Sequence, residues 1–131
     1  VAKPTKDVRR GVYERDDYTC VSCGRMHALS FQHRRATGWR GSKELPTLAD
    51  GLTACIECNM RFEGDLQDEA LAKGWKVRSW VRNPALVPYF HEGAGRWYVI
   101  TDDAPVRRAI TRAQARELML AVYGSDGGLP L

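Results

Sequence analysis

Cys20-Val21-Ser22-Cys23-Gly24, then Leu29-Ser30-Phe31-Gln32-His33-Arg34-Arg35, then Asp50-Gly51-Leu52-Thr53-Ala54-Cys55-Ile56-Glu57-Cys58-Asn59: this succession decides the fold. It holds all four cysteines of the chain, as two C-x2-C pairs with 31 residues between them. Two residues between thiolates let one knuckle present both sulfurs to a single ion, and two knuckles complete the tetrahedral set that zinc prefers. Four sulfurs leave no open coordination position, so Cys20, Cys23, Cys55 and Cys58 read as ligands of one structural Zn²⁺ stapling residues 20–59. A dithiol redox site would need one such pair beside a βαβ pattern, and that pattern is missing.

Between the knuckles, Leu29 to His33 alternates apolar and polar and predicts a strand ending at the histidine. Residues 34–49, with Gly38, Gly41 and Pro46, read as a long loop. Leu52 to Ala54 predicts a short return strand, and a helix is expected from about Ile56. Outside this unit, Thr5 is a candidate N-cap for a helix over 5–15, with Val8 and Val12 on one face. Past Ile56 the helical pattern breaks at Gly64, resumes from Asp65 to Lys73 and ends at Gly74. Residues 75–80 and 96–101 predict strands, with a proline-bounded turn over 83–88. Trp75, Trp80 and Trp97 are expected in the core. Thr111-x-x-Gln114 is a capping box, and Ala115, Leu118, Met119 and Val122 form one apolar stripe before Gly124.

At 131 residues, 44% hydrophobic and 27% charged, the chain has the length and balance of one soluble α+β domain. No run approaches the ~20 apolar residues that span a bilayer. The first residues lack the apolar core of a secretory signal, so the expected compartment is the cytoplasm, where thiols stay reduced. The net charge of +4 says little, but its distribution says more. From Gly24 to Lys43 five basic residues (Arg25, Arg34, Arg35, Arg40, Lys43) stand without an acid. From Asp50 to Glu69 six acids face the single Arg61. A basic loop beside an acidic helix suits a protein that grips phosphates while holding a divalent cation.

The order of these pieces resembles the zinc-containing HNH endonucleases, most closely the small ones of actinobacterial phages. Arg34, Arg35, Gly38, Gly41 and Ser42 match the loop that follows the histidine there. Glu63 and the Ala-x-x-x-Gly-Trp-x-Val of Ala70 to Val77 look like the tail of such proteins. The resemblance covers residues 14 to about 103 and leaves out the last helix.

The resemblance implies a zinc-stabilised ββα-metal unit over about 14–75. Accessory strands and the C-terminal helix follow over about 76–124, all within one domain. It places His33 as general base, Asp50 where a central Asn orients that base, and Gln32 and Asn59 where a catalytic Mg²⁺ or Mn²⁺ binds. Arg34, Arg35, Arg40 and Lys43 are then expected to clamp DNA phosphates, and Trp39 to stack or wedge at a groove. Gln32 and Asn59 are neutral amides, weaker ligands for a hard cation than carboxylates. Two further readings stay open: a catalytically silent DNA-binding protein on the same fold, and a zinc-based interaction or RNA-binding module. His27 and His91 match nothing and read as surface residues.

Overall fold

The computed structural model describes residues 2–35 and 44–125. Trp39, Arg40 and Lys43, expected at the phosphate-binding loop, lie outside the described residues. Helix α1 (Lys6–Arg15) begins at Thr5, whose hydroxyl accepts from Val8 N at 3.2 Å, as its sequence position predicts. Strands β1 (Leu29–His33) and β2 (Gly51–Cys55) pair antiparallel, Leu29 opposite Cys55 and His33 opposite Gly51. Helix α2 (Ile56–Arg61) follows β2 without a loop, and α3 (Gln67–Ala72) comes after one turn. A second antiparallel sheet has the order β3 (Tyr89–His91), β4 (Arg96–Ile100), β5 (Arg107–Ile110). Helix α4 (Arg112–Tyr123) closes the fold behind the expected Thr111/Gln114 capping box. The architecture is mixed α+β, and no helix among the described residues is long and apolar enough to cross a membrane.

Two apolar clusters hold these pieces together. The larger joins both halves of the chain: Val21, Leu52 and Phe62 meet Trp75, Tyr98 and Ile100. Phe62 stacks on Trp75 with ring centres 5.3 Å apart. The smaller gathers Val77, Val81 and Val87 against Met119 and Tyr123 of α4. The stripe read on α4 is therefore its inner face, with Ala115, Met119 and Tyr123 buried.

Two features depart from expectation. Residues 75–80 are not a strand: the segment makes one isolated parallel bridge, Val77 to Arg35. Trp75, Lys76 and Val77 are all buried in succession, which an alternating strand at a solvated surface does not allow. Trp80 is 57% exposed rather than core, its ring edge-on to Tyr123.

A buried polar network ties α1 to the second sheet. Asp16 ends α1 with no solvent exposure, and its carboxylate accepts from Tyr89 Oη (2.6 Å) and Thr53 N (2.9 Å), with Arg15 beside it. Arg107 of β5 donates to Tyr89 Oη, to Asp17 and to Nδ1 of His91. His91, read from sequence as a surface residue, is 2% exposed. Because Arg107 can only donate, His91 is neutral with its proton on Nε2, which then donates to Thr19 Oγ1 at 2.6 Å. Burial, and after it the charge of Arg107, hold His91 below the ordinary histidine value, while Asp16 and Asp17 pull the other way.

The sign follows from that lowered value. Stability is full above the ordinary histidine pKa of about 6.5 and falls as pH drops below it, because the unfolded chain takes up the proton first. His91→Gln keeps an acceptor toward Arg107 and a donor toward Thr19. It is expected to flatten the acid side of the stability profile by up to about 1.4 kcal/mol per pH unit. Urea titrations of both proteins between pH 7 and 5 read the difference, in which contributions common to both cancel. Equal slopes would show that His91 is not held neutral.

Candidate metal centre and hairpin site

The two knuckles converge. The Sγ atoms of Cys20, Cys23, Cys55 and Cys58 all lie within 4.8 Å of one another, and Cys23 and Cys55 are 3.8 Å apart. Zn–S bonds of about 2.3 Å in a tetrahedron set neighbouring sulfurs about 3.8 Å apart, so the spacing suits a metal ion such as zinc. Local structure explains the approach. Val21 N donates to Thr53 O at 3.0 Å and lays the first knuckle along β2. Cys55 caps α2, its sulfur accepting from Cys58 N at 3.4 Å, so the helix starts on the second knuckle.

The cluster's electrostatics favour a cation. Burial first, with backbone hydrogen bonds opposing it, pushes the Cys20 thiol up; burial and then the charge of Cys20 raise Cys58. Burial acts upward on Cys23 too, but hydrogen bonds from the Arg25 backbone and the other cysteines bring it below its ordinary value. Four sulfurs this close cannot all ionise without a positive charge among them, which a divalent metal supplies.

His33 ends β1, where the alternation over Leu29–His33 predicts the strand to end. Its ring is half-buried, edge-on to Phe31 with centres 5.0 Å apart, and Nε2 lies 3.0 Å from the carbonyl oxygen of Ala2. Phe31 in turn lies over Gly51, where a Cβ would come within 2.1 Å of the ring. The glycine after Asp50 is thus required for space: its φ of −128° is ordinary extended backbone. The His33 carbonyl is held from two sides, by Gln32 Nε2 at 2.7 Å and Lys76 Nζ at 3.0 Å. Lys76 is buried and also paired with Glu63 at 2.5 Å.

Gln32 is fully buried, and its Oε1 has no hydrogen-bond partner among the described residues. Asn59 lies on the same side of the hairpin, where Nδ2 donates to Ser30 Oγ at 3.1 Å. Position 30 shares a strand face with position 32.

Asp50 was expected to hold the His33 imidazole. Instead its Oδ2 accepts from Thr47 N (2.7 Å) and Thr47 Oγ1 (3.0 Å), closing a capping box around the short 3₁₀ turn Leu48–Asp50. Only its main chain meets β1, accepting from Arg34 N at 2.9 Å. An orphan N–H three residues away is the nearer partner for the carboxylate, reached without ordering a distant group.

Arg34 departs furthest from its expected role. It was read as a phosphate clamp, yet it has no solvent exposure. Its guanidinium donates to Gly74 O through Nε and Nη2, to Pro84 O through Nη1 and to Val87 O through Nη2, at 2.7–3.2 Å. Burial, followed by the charge of Arg15, pulls its pKa down to about 10, so it stays charged at neutral pH. Arg35 is half-buried and donates to Val81 O at 2.9 Å. The basic pair after the histidine sews the hairpin to residues 74–87. Sequence reasoning passed over Ala2, Lys76 and Phe31 at this site.

No protein-family model matches the chain, and no curated protein or solved structure matches it either.

Proposed function

We propose that the chain is a zinc-stabilised, divalent-metal-dependent HNH-type endonuclease that hydrolyses DNA phosphodiester bonds. The observation that carries the reading is the strand-to-strand-to-helix unit between two metal-binding knuckles, with a half-exposed histidine at the end of its first strand. That arrangement leaves an imidazole nitrogen available to take a proton from an attacking water, a task suited to histidine near neutral pH. The four cysteines are the structural zinc ligands, closed to substrate.

A second, hard cation would be held by Gln32 and Asn59. The orphaned Oε1 of Gln32 and the amide oxygen of Asn59 are donors of the type Mg²⁺ or Mn²⁺ accepts. When bound, such an ion offsets charge on the phosphoryl and departing oxygens. The chain's own residues supply the rest. His33 takes the proton, Phe31 and the twice-held carbonyl fix its backbone and ring, and the exposed Lys3, Lys6 and Arg9 follow Ala2, whose carbonyl touches that ring, as cations for phosphates. These three replace Arg34 as the cations available to DNA.

Supercoiled plasmid incubated with Mg²⁺ or Mn²⁺ is expected to be nicked or linearised, and EDTA to prevent it. His33→Ala is expected to slow cleavage by ~10²–10⁴-fold while zinc content and plasmid binding persist. The silent DNA-binding reading draws on a specific observation: the carboxylates of Asp50 and Glu63 are both engaged, by Thr47 and Lys76. Plasmid binding without cleavage under any of these metals would decide for it.

A further inference from the structure

The backbone of the segment before α1 touches the candidate base. Ala2 O lies 3.0 Å from His33 Nε2. A carbonyl oxygen only accepts, so the contact requires the proton of the neutral ring to sit on Nε2, which leaves the Nδ1 lone pair free. We propose that residues 2–5 are a positioning strap for the candidate catalytic centre, in which the Ala2 carbonyl selects the His33 tautomer and fixes the ring. The inference rests on the endonuclease reading for its purpose but not for its test.

Three observations converge on it. The orienting acceptor expected at Asp50 is committed to Thr47, so the imidazole has no carboxylate partner there. Phe31 packs edge-on to the same ring and is itself seated over the bare Cα of Gly51, so the ring can reach Ala2 only in a restricted range of angles. The strap is anchored just beyond, where Thr5 caps α1 and the helix packs on β2 through Thr53 Oγ1 to Val12 O. The contact therefore adds a hydrogen bond from the strap to a hairpin on which α1 is already fixed. In the forward reaction His33 Nδ1 takes a proton from water while Nε2–H stays on the carbonyl. The resulting imidazolium keeps the same donor, and the bond to Ala2 strengthens as the ring becomes charged.

The test is spectroscopic first. Long-range ¹H–¹⁵N correlation of the zinc-loaded chain of residues 1–131 is expected to show His33 as the Nε2–H tautomer. A chain lacking only residues 1 and 2, which keeps Lys3, is expected to show both tautomers, with unchanged zinc content and thermal midpoint. Its plasmid cleavage in Mg²⁺ should fall roughly two- to tenfold in kcat, the span of one neutral hydrogen bond, with KM unchanged.

If the deletion disturbs folding, an ester in place of the Ala2–Lys3 amide keeps the strap and weakens only the acceptor. It can be made by joining synthetic residues 1–19 to the chain from Cys20. The ester should show the same mixed tautomers. A His33 proton on Nδ1 in the unmodified chain, an unchanged tautomer after both modifications, or faster cleavage without the strap would each overturn the proposal. If the wild-type chain never cleaves but the tautomer responds as described, the positioning contact stands and the endonuclease reading falls.

Discussion

A strong chelator under reducing conditions is expected to unfold this chain. Three of the four cysteines, Cys20, Cys55 and Cys58, are buried members of the larger core. Without a cation the cluster must keep protons on buried thiols, and the knuckles lose the bond that holds them together. Structural zinc contributes about 10–16 kcal/mol of apparent binding energy in small domains. A domain of this size is stable by only about 5–15 kcal/mol in total, so the loss exceeds what remains. Cys58→Ser should behave like chelation, since it removes one ligand and opens α2 at its first turn. Elemental analysis should find one zinc per chain, and circular dichroism should lose its cooperative melt as that zinc leaves. A chain that carries no zinc and melts at the same temperature with or without chelator would remove the metal from this fold.

Arg34→Met is expected to be the most damaging substitution outside the cysteines. The replacement keeps much of the volume and removes the guanidinium donors from the carbonyls of Gly74, Pro84 and Val87, of which Pro84 O keeps its bond from Val87 N. Leaving buried acceptors without donors costs about 1–3 kcal/mol each, partly offset because a buried charge disappears as well. A net loss of about 3–5 kcal/mol follows, visible as a large fall in the urea midpoint. Arg34→Lys should fall between the two, since one ammonium cannot span three carbonyls in the directions a guanidinium does. If Arg34→Met instead unfolds like wild type and loses only plasmid binding, the side chain reaches phosphate and not the interior.

Arg34 also shows where reading the sequence stops. The legible elements were those with local signals: alternation over Leu29–His33, two C-x2-C spacings and a capping box at Thr111 each depend on neighbours a few residues away. The fate of a basic side chain is different. Arg34 is buried because carbonyls 40 to 53 residues later turn toward it, and no pattern around position 34 announces that. His91 is neutral and interior for the same kind of reason, through Thr19 and Arg107. Strands β3 and β5 escaped notice because they are short, and pairing with β4 rather than their own composition makes them strands. Residues 75–80 carry strand-like residues, but no strand lies beside them to pair with beyond one bridge.

The seam made by Arg34 bears on how this protein could be cut and reused. The tempting module is residues 14–75, which hold both knuckles, the hairpin and α2. Lifted out, that piece would keep Arg34 and Gly74 but leave Pro84 and Val87 behind. It would also lose Tyr89 from the Asp16 carboxylate and Ala2 from the His33 ring. A hybrid carrying only the excerpt would have an intact metal clip around a hairpin with a guanidinium half abandoned. The smallest transplantable piece therefore runs from Ala2 at least through β3, and designers seeking a portable form of the four-cysteine hairpin should draw their boundaries there.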